Sequence, residues 1–495
     1  MATAFRKAFV CRKRPRRGVY SERLFTGSGV STGVSERFFP LIVGIVSLGL
    51  LAWWVRGPEI VEAQKPREPG ADRVGVETTV AAVDLKGTFA QGPGRAPTDL
   101  TGAWCRFRGP QFDNVVTATV ALARTFPPSG PPVLWSLPVG DGYASPAVLQ
   151  GRVFLLDYDE QGQADVLRCL SLADGQEIWR RAYTVKVKRN HGMSRTMPAV
   201  NEQYVVTIGP KCHVLCADTQ TGAFRWGIDL VRDYKTKEPP WYAGQCPILD
   251  GDKVILAPAG DKVLLMAVDL ATGRPVWKTP NTFGWNMTHA SVLPWTFHGT
   301  KMYVYCASGG IVAVAAQTGE VLWHSDEWKV NIAWVPSPVP AGPDRILFTG
   351  GYNAGALMLR FRDENGKLAH ETVFRKKARD CGSDQQTPIF YEGHLYLVVP
   401  DGQLICMTPE GERKWASGMS HRFGLGPYLI ADGRIFAMND HGVLTLAQAS
   451  PDAFKPLGSW KILDGEETWG PLVLVDGRLI ARSRNALVCV DARAK

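Results

Sequence analysis

The sequence predicts an all-β chain: an eight-bladed β-propeller of four-stranded antiparallel blades, closed by an N-terminal strand that completes the last blade, and preceded by one transmembrane helix. Three observations carry this expectation. Glycine recurs four residues before tryptophan, at Gly175/Trp179, Gly222/Trp226, Gly273/Trp277, Gly319/Trp323 and Gly411/Trp415. A proline opens many of the same units, as at Ser145-Pro146, Met197-Pro198, Cys246-Pro247 and Thr387-Pro388. Upstream of all of them, residues 38–55 run for eighteen positions without a charge, just enough to cross a bilayer core.

Composition agrees with the β assignment. The 495 residues include 51 glycines, 34 prolines and 16 tryptophans, and short apolar runs are separated by Asp-Gly and Thr-Gly turn pairs. The net charge of +9 is concentrated in residues 1–37, whose nine Lys/Arg against two Glu supply +7 and leave +2 for the rest. A near-neutral body excludes nucleic acid as a partner, since that needs a basic face on the folded domain.

Taken in order, residues 1–37 read as a basic cytoplasmic tail. Residues 38–55 read as an uncleaved signal-anchor, oriented by the preceding arginines and bracketed by Phe38, Phe39, Trp53 and Trp54 at interfacial depth, with a cleaved signal peptide as the competing reading. Residues 56–100, rich in Pro, Gly and charge, are expected to be a flexible linker. Residues 101–131 lead into the propeller, which occupies 132–495. The localisation that follows is single-pass in the cell (inner) membrane, with the propeller on the periplasmic side.

Within the propeller, the turn glycine suits a position of positive φ, and strand alternation fixes the face taken by the indole. Trp135, Phe374 and Trp460 fall in register with the five Gly/Trp units. The column of docking aromatics is then Trp135, Trp179, Trp226, Trp277, Trp323, Phe374, Trp415 and Trp460, with a mean step of about 46 residues, roughly one propeller blade. The last unit, residues 468–492, holds only three strands, while residues 132–140 form an orphan strand before the first unit. The two are expected to meet in one blade, removing a sheet edge.

In a propeller the crossovers from fourth to first strand gather around one mouth of the channel. The first two crossovers offer His191, Arg195, Trp241, Tyr242 and Gln245. The next two offer Trp285, Asn286, His289 and Trp334. Asp384, Gln386, His421, Glu467 and Trp469 follow. Aromatic faces with polar groups around a concavity suit a flat polar ligand or an extended chain, the competing reading being that the indoles plug the mouth and the polar groups bind water. Asp384 and Glu467 are the candidate general bases should the site be catalytic. Histidines 191, 289 and 421 lack ligand spacing, and no metal site is expected. Cys169, Cys216, Cys406 and Cys489 share a column with alanines, which marks small buried positions. Cys212 and Cys216 lie roughly 13 Å apart along an extended strand, too far to bridge.

The recurring S-P-A-V, D-G-x-V-Y and L-D-x-x-T-G-x-x-x-W columns resemble the pyrroloquinoline-quinone-like (PQQ-like) repeat propellers over residues 130–495. Exported bacterial propellers of the quinoprotein-like and polyvinyl-alcohol-dehydrogenase-like type are especially similar, and they share the lead-in seen here as "WCRFRGPQFDN" (residues 104–114). The propeller of the outer-membrane β-barrel assembly machinery is a more distant likeness. The resemblance implies one of two functions. One is a membrane-anchored, non-catalytic scaffold module that binds a ligand or envelope proteins, the better fit to a chain without adjacent cysteines. The other is a PQQ-dependent alcohol or polyol dehydrogenase, and only that alternative brings PQQ with Ca²⁺ as cofactors.

Overall fold

The computed structural model describes residues 44, 46–49, 82–330 and 332–494. The chain divides into two units, Met1–Val74 and Gly75–Lys495. In the first, residues 44 and 46–49 are helical and exposed. The expected tail, most of the expected span 38–55 and linker residues 56–81 lie outside the described residues. Among the described residues no helix is long and apolar enough to cross a membrane.

The second unit is built from eight antiparallel sheets, each with a four-stranded core. Blades one to seven occupy residues 147–184, 199–229, 248–280, 293–325, 339–376, 389–416 and 428–461. The eighth takes Val473–Val475, Arg478–Arg482 and Ala486–Asp491 from the end of the chain and Val133–Pro138 from before blade one. Cys489 pairs with Trp135 and Leu487 with Leu137, so the orphan strand closes the ring as the repeat pattern requires. Across this seam Arg484 grips Asp141 at 3.0 and 2.7 Å. The buried Arg482 donates to the carbonyls of Ala144 and Gly140 at 2.7 and 2.8 Å.

Each docking indole reaches the next blade. Nε1 of Trp135 donates to Leu172 O at 3.0 Å, that of Trp226 to Leu270 O at 2.7 Å, and that of Trp277 to Ala316 O at 3.1 Å. The turn glycine of the receiving blade lies under the ring. A Cβ on Gly273 would sit 2.6 Å from Trp226, and one on Gly319 would sit 2.3 Å from Trp277. Positive φ therefore explains only half of the glycine column; close approach of the neighbouring indole explains the rest. Blade eight has no turn between its third and fourth strands. Gly130, at φ +87°, lies against Trp460 in its place, and Phe126 packs edge-on to the same indole at 5.1 Å.

The first strands of neighbouring blades approach one another around the axis, which leaves their inner edges as unpaired backbone. The lead-in satisfies several of them. Ala103–Trp104 pairs with blade one, and Val115–Val116 pairs in parallel with blade seven. Cys105 O accepts from Val200 N of blade two at 2.8 Å. Arg106 donates to Leu249 O of blade three at 3.1 Å and Arg108 to Pro388 O of blade six at 2.9 Å. One segment thus joins the inner edges of five blades and stoppers the channel. A correction applies to the expected linker 56–100: its described part, 82–100, lies along the propeller. Thr88–Gln91 adds an outer strand to blade one, paired with its Trp179 strand, and Leu85 and Leu100 are buried. Apolar burial and ladder bonds outweigh the chain entropy that its Pro/Gly-rich composition suggested.

Candidate ligand site at the channel mouth

A cavity of ≈ 490 Å³ opens where the crossovers meet. All eight contribute a wall residue: Tyr143, Arg195, Trp241, His289, Val335, Asp384, Leu425 and Trp469. Phe107 and Asn114 of the channel stopper line it as well. The residues that open the first strands form a belt of hydrogen bonds from blade to blade. Met197 N–H donates to Cys246 Sγ at 3.2 Å, Cys246 N–H to Ser291 Oγ at 3.0 Å, Ser291 N–H to Ser337 Oγ at 3.0 Å, and Ser337 N–H to Thr387 Oγ1 at 3.0 Å. The belt holds these strand ends in register and fixes the cavity's shape.

Arg195 is the principal cation on the wall. Its Nε donates to Trp241 O at 2.5 Å, and Nη2 donates to the carbonyls of Asn190, His191 and Gly192 at 2.9, 2.9 and 3.2 Å. The guanidinium lies 5.2 Å over the Tyr143 ring, and burial lowers its pKa to about 10. Burial, then repulsion by Arg195, pushes His289 down to about 4, so its imidazole is neutral. Asp384 is the one carboxylate lining the cavity. Burial raises its pKa, opposed by a hydrogen bond from the Tyr352 backbone.

Two lining residues come from the hairpin turn between the second and third strands of blade five, Tyr352 and Asn353, both at positive φ. Tyr352 stacks on Trp241 with centroids 5.9 Å apart and planes 3° from parallel. Each half of this stack is tied to a charge: Trp241 O accepts from Arg195, and Tyr352 N–H donates to Asp384.

Seven of the residues proposed from sequence line the cavity: His191, Arg195, Trp241, His289, Asp384, Gln386 and Trp469. Gln386 spends its amide N–H groups on Gly424 O and Gly426 O at 2.9 and 3.0 Å. Trp469 stacks on Tyr143 at 5.2 Å and donates to Asp440 at 2.8 Å.

The others are corrected in position. Tyr242 is buried and donates to Lys188 O at 2.5 Å. Gln245 is fully buried, its side-chain carbonyl accepting from Ala257 N–H at 3.0 Å in place of a strand partner. Trp285 stacks on Phe283 at 4.5 Å, away from the cavity lining, and Asn286 pairs through its backbone with Ser308. Trp334 is buried edge-on against Trp328 at 4.8 Å. His421 packs on Phe454 at 5.2 Å. Glu467 accepts from Tyr143 Oη at 2.6 Å and faces Arg484 at 3.6 Å, which leaves it an ion-paired strut at the cavity's rim.

Sequence reasoning missed Tyr143, Tyr352, Asn353, Phe107 and Asn114. The available signals were the doubled glycine of "GGYNAG" (residues 350–355) and the aromatic, arginine-rich lead-in. Among the described residues no group of three or more His, Cys, Asp or Glu is placed to hold a metal ion, and the nine described cysteines are free.

Residues 162–326 match the family model described as outer membrane protein assembly factor BamB. No curated protein sequence matches the chain. Among solved structures, BamB from Moraxella catarrhalis is 14% identical with a TM-score of 0.51, over 72% of this chain and 98% of that one. A europium-containing methanol dehydrogenase is 14% identical with a TM-score of 0.56, over 77% of this chain and 89% of that one. The quinohemoprotein alcohol dehydrogenase ADHIIG from Pseudomonas putida HK5 is 14% identical with a TM-score of 0.50, over 73% and 76%. At such identity the structural likenesses speak to fold alone. The match over residues 162–326, with the repeat columns and the ring closure, makes this part of the chain similar to the PQQ-like repeat β-propellers.

Proposed function

We propose that the chain is a membrane-anchored, extracytoplasmic propeller that binds a small polar ligand or an envelope partner at its mouth without transforming it. One observation carries this reading: the channel is stoppered by residues 103–116, and its mouth holds an aromatic-walled cavity to which all eight crossovers contribute. The volume falls in the range usual for small-molecule sites. The wall groups are suited to holding a ligand. Asp384 accepts the Tyr352 backbone N–H, and the belt hydroxyls of Ser291 and Thr387 already accept backbone hydrogen bonds. The anchor belongs to residues 38–55, with 1–37 cytoplasmic and the propeller exported. The uncharged run and the basic tail before it support this. The family description as an outer-membrane assembly factor supports an envelope partner.

The alternative, a PQQ-dependent alcohol dehydrogenase, needs a flat slot for the quinone and several oxygen ligands for Ca²⁺. The residues present do not fit it. Trp241 and Tyr352 stack directly on each other and leave no slot between their rings, and Asp384 alone supplies a carboxylate to the wall.

Intrinsic tryptophan fluorescence of the detergent-solubilised full chain, titrated with a library of small polar metabolites, tests the reading. Saturable binding that is lost in Trp241→Ala is the expected result. Turnover in a dye-linked alcohol oxidation assay after incubation with PQQ and Ca²⁺ would overturn it. Protease should reach the propeller only from the exported side of sealed vesicles.

A further inference from the structure

We infer that the mouth cavity is built for a zwitterion, an amino acid or short peptide whose carboxylate docks on Arg195 and whose ammonium docks on Asp384. This rests on the ligand-binding reading above and names the chemistry of its ligand.

The argument begins with two charges that the protein leaves without each other. Arg195 and Asp384 line one cavity, yet neither takes part in an ion pair within 4.0 Å among the described residues. Arg195 satisfies its Nε and Nη2 with four backbone carbonyls, and these are neutral acceptors. They fix the guanidinium plane and leave Nη1 for a guest. His289 on the same wall supplies no cation to balance Asp384, because burial and Arg195 hold it neutral. On the other side Asp384 receives only the Tyr352 backbone N–H.

Burying an uncompensated charge is costly. Arg195 and Asp384 are partly buried and carry part of that cost, and a single molecule with the opposite pair of charges relieves both. Tyr352 lies within the field of both, its hydroxyl feeling Asp384 and Arg195 with opposite sign. Arg195 is bonded to Trp241 and Asp384 to Tyr352, so the two charges attach to different members of the stack. Phe107, Tyr143 and Tyr428 supply apolar faces for whatever lies between the guest's charged ends. A cavity of ≈ 490 Å³ is large enough for an aromatic amino acid or a dipeptide and too small for an extended chain.

The full-length protein is titrated with Ala-Phe, N-acetyl-Ala-Phe, Ala-Phe amide and phenyllactate, with tryptophan fluorescence and calorimetry as readouts. Saturable binding of Ala-Phe is expected, weakened at least tenfold by blocking either end. In Asp384→Asn the acetylated and free peptides should bind alike, which a merely structural role for Asp384 would not produce. Arg195→Lys should remove the penalty for amidation, and thermal melts report whether that variant is folded; Asp384→Asn keeps the test decisive if it is not. Equal binding of blocked and free peptide overturns the inference. If phenyllactate or a neutral metabolite binds in a Trp241-dependent way and no zwitterion does, the inference falls while the mouth site stands. If nothing in the panel or the wider library binds in that way, both fall.

Discussion

Trp241 and Tyr352 come from crossovers and hairpins on separate blades, yet their rings lie 3° from parallel at 5.9 Å. Both backbones sit at positive φ, +60° and +54°, a conformation that costs a bulky residue free energy. The strain is held by Arg195 on one side and Asp384 on the other. Two strained aromatics meeting over a cavity mark a position shaped for recognition rather than for ring stability.

Replacing Trp241 by alanine should therefore weaken ligand binding at least tenfold while changing stability little. The stack itself is worth about 0.5–1.5 kcal/mol. Calorimetric affinity and the thermal midpoint, measured on the same preparation, separate the two effects; a large fall in the midpoint would assign the pair a structural role.

Gly319→Ala should be far more damaging than Gly299→Ala. Both glycines have positive φ, but a Cβ on Gly319 meets the Trp277 ring at 2.3 Å, whereas nothing lies within 4 Å of one on Gly299. The open site should cost about 1 kcal/mol in backbone strain. The crowded one adds a displaced indole, for a total of about 3 kcal/mol or more. Denaturant titration of the two variants gives the comparison, and equal losses would refute the docking account of the glycine column.

Stability should fall as pH rises from about 4 to about 7 through the action of Asp165. This carboxyl is fully buried between Tyr183, which donates to it at 2.5 Å, and the core. Burial raises its pKa to about 7 from an ordinary 3.8. The unfolded chain releases the proton near its ordinary pKa and the folded chain keeps it, so the unfolded state gains across that window, by on the order of 4 kcal/mol at its upper end. His213 nearby is pushed down by burial and acts in the opposite direction. The pH dependence of the difference between the parent and Asp165→Asn isolates the carboxyl, and a flat difference from pH 4 to 8 would contradict its burial as a neutral acid.

Trp135→Ala should loosen the seam between blades eight and one. The substitution removes a buried indole and its bond to Leu172 O, a loss of about 3–5 kcal/mol. Limited proteolysis should then cut near residues 138–142 well before it cuts elsewhere in the ring. Uniform digestion would mean that the Arg484–Asp141 and Arg482 contacts hold the seam unaided.

The ring was legible because its chemistry repeats. A glycine squeezed by an indole and given positive φ tolerates no substitute, so Gly273 and Gly319 stand out in a single sequence. Trp135 was readable for the same reason, as a column member without its own blade. The mouth was legible only to the level of its crossovers. Trp285 and Trp334 look as promising as Trp241 in one dimension, but short loops set side-chain direction through contacts that no periodicity encodes. Tyr352 was hidden because it lies in a hairpin turn outside the repeat columns, at a positive φ that no periodicity encodes. The segment from Trp104 to Val116 was hidden because it borrows its hydrogen bonds from distant inner strands.

That stopper has a consequence for traffic. A propeller with a clear bore offers passage from face to face, and its two faces share whatever enters. Here the bore ends blindly on Phe107 and Asn114, making the mouth a cul-de-sac in which arrival and departure use the same doorway. A guest lodged there must leave by the side on which it came, and a protein docked over that face would seal it inside.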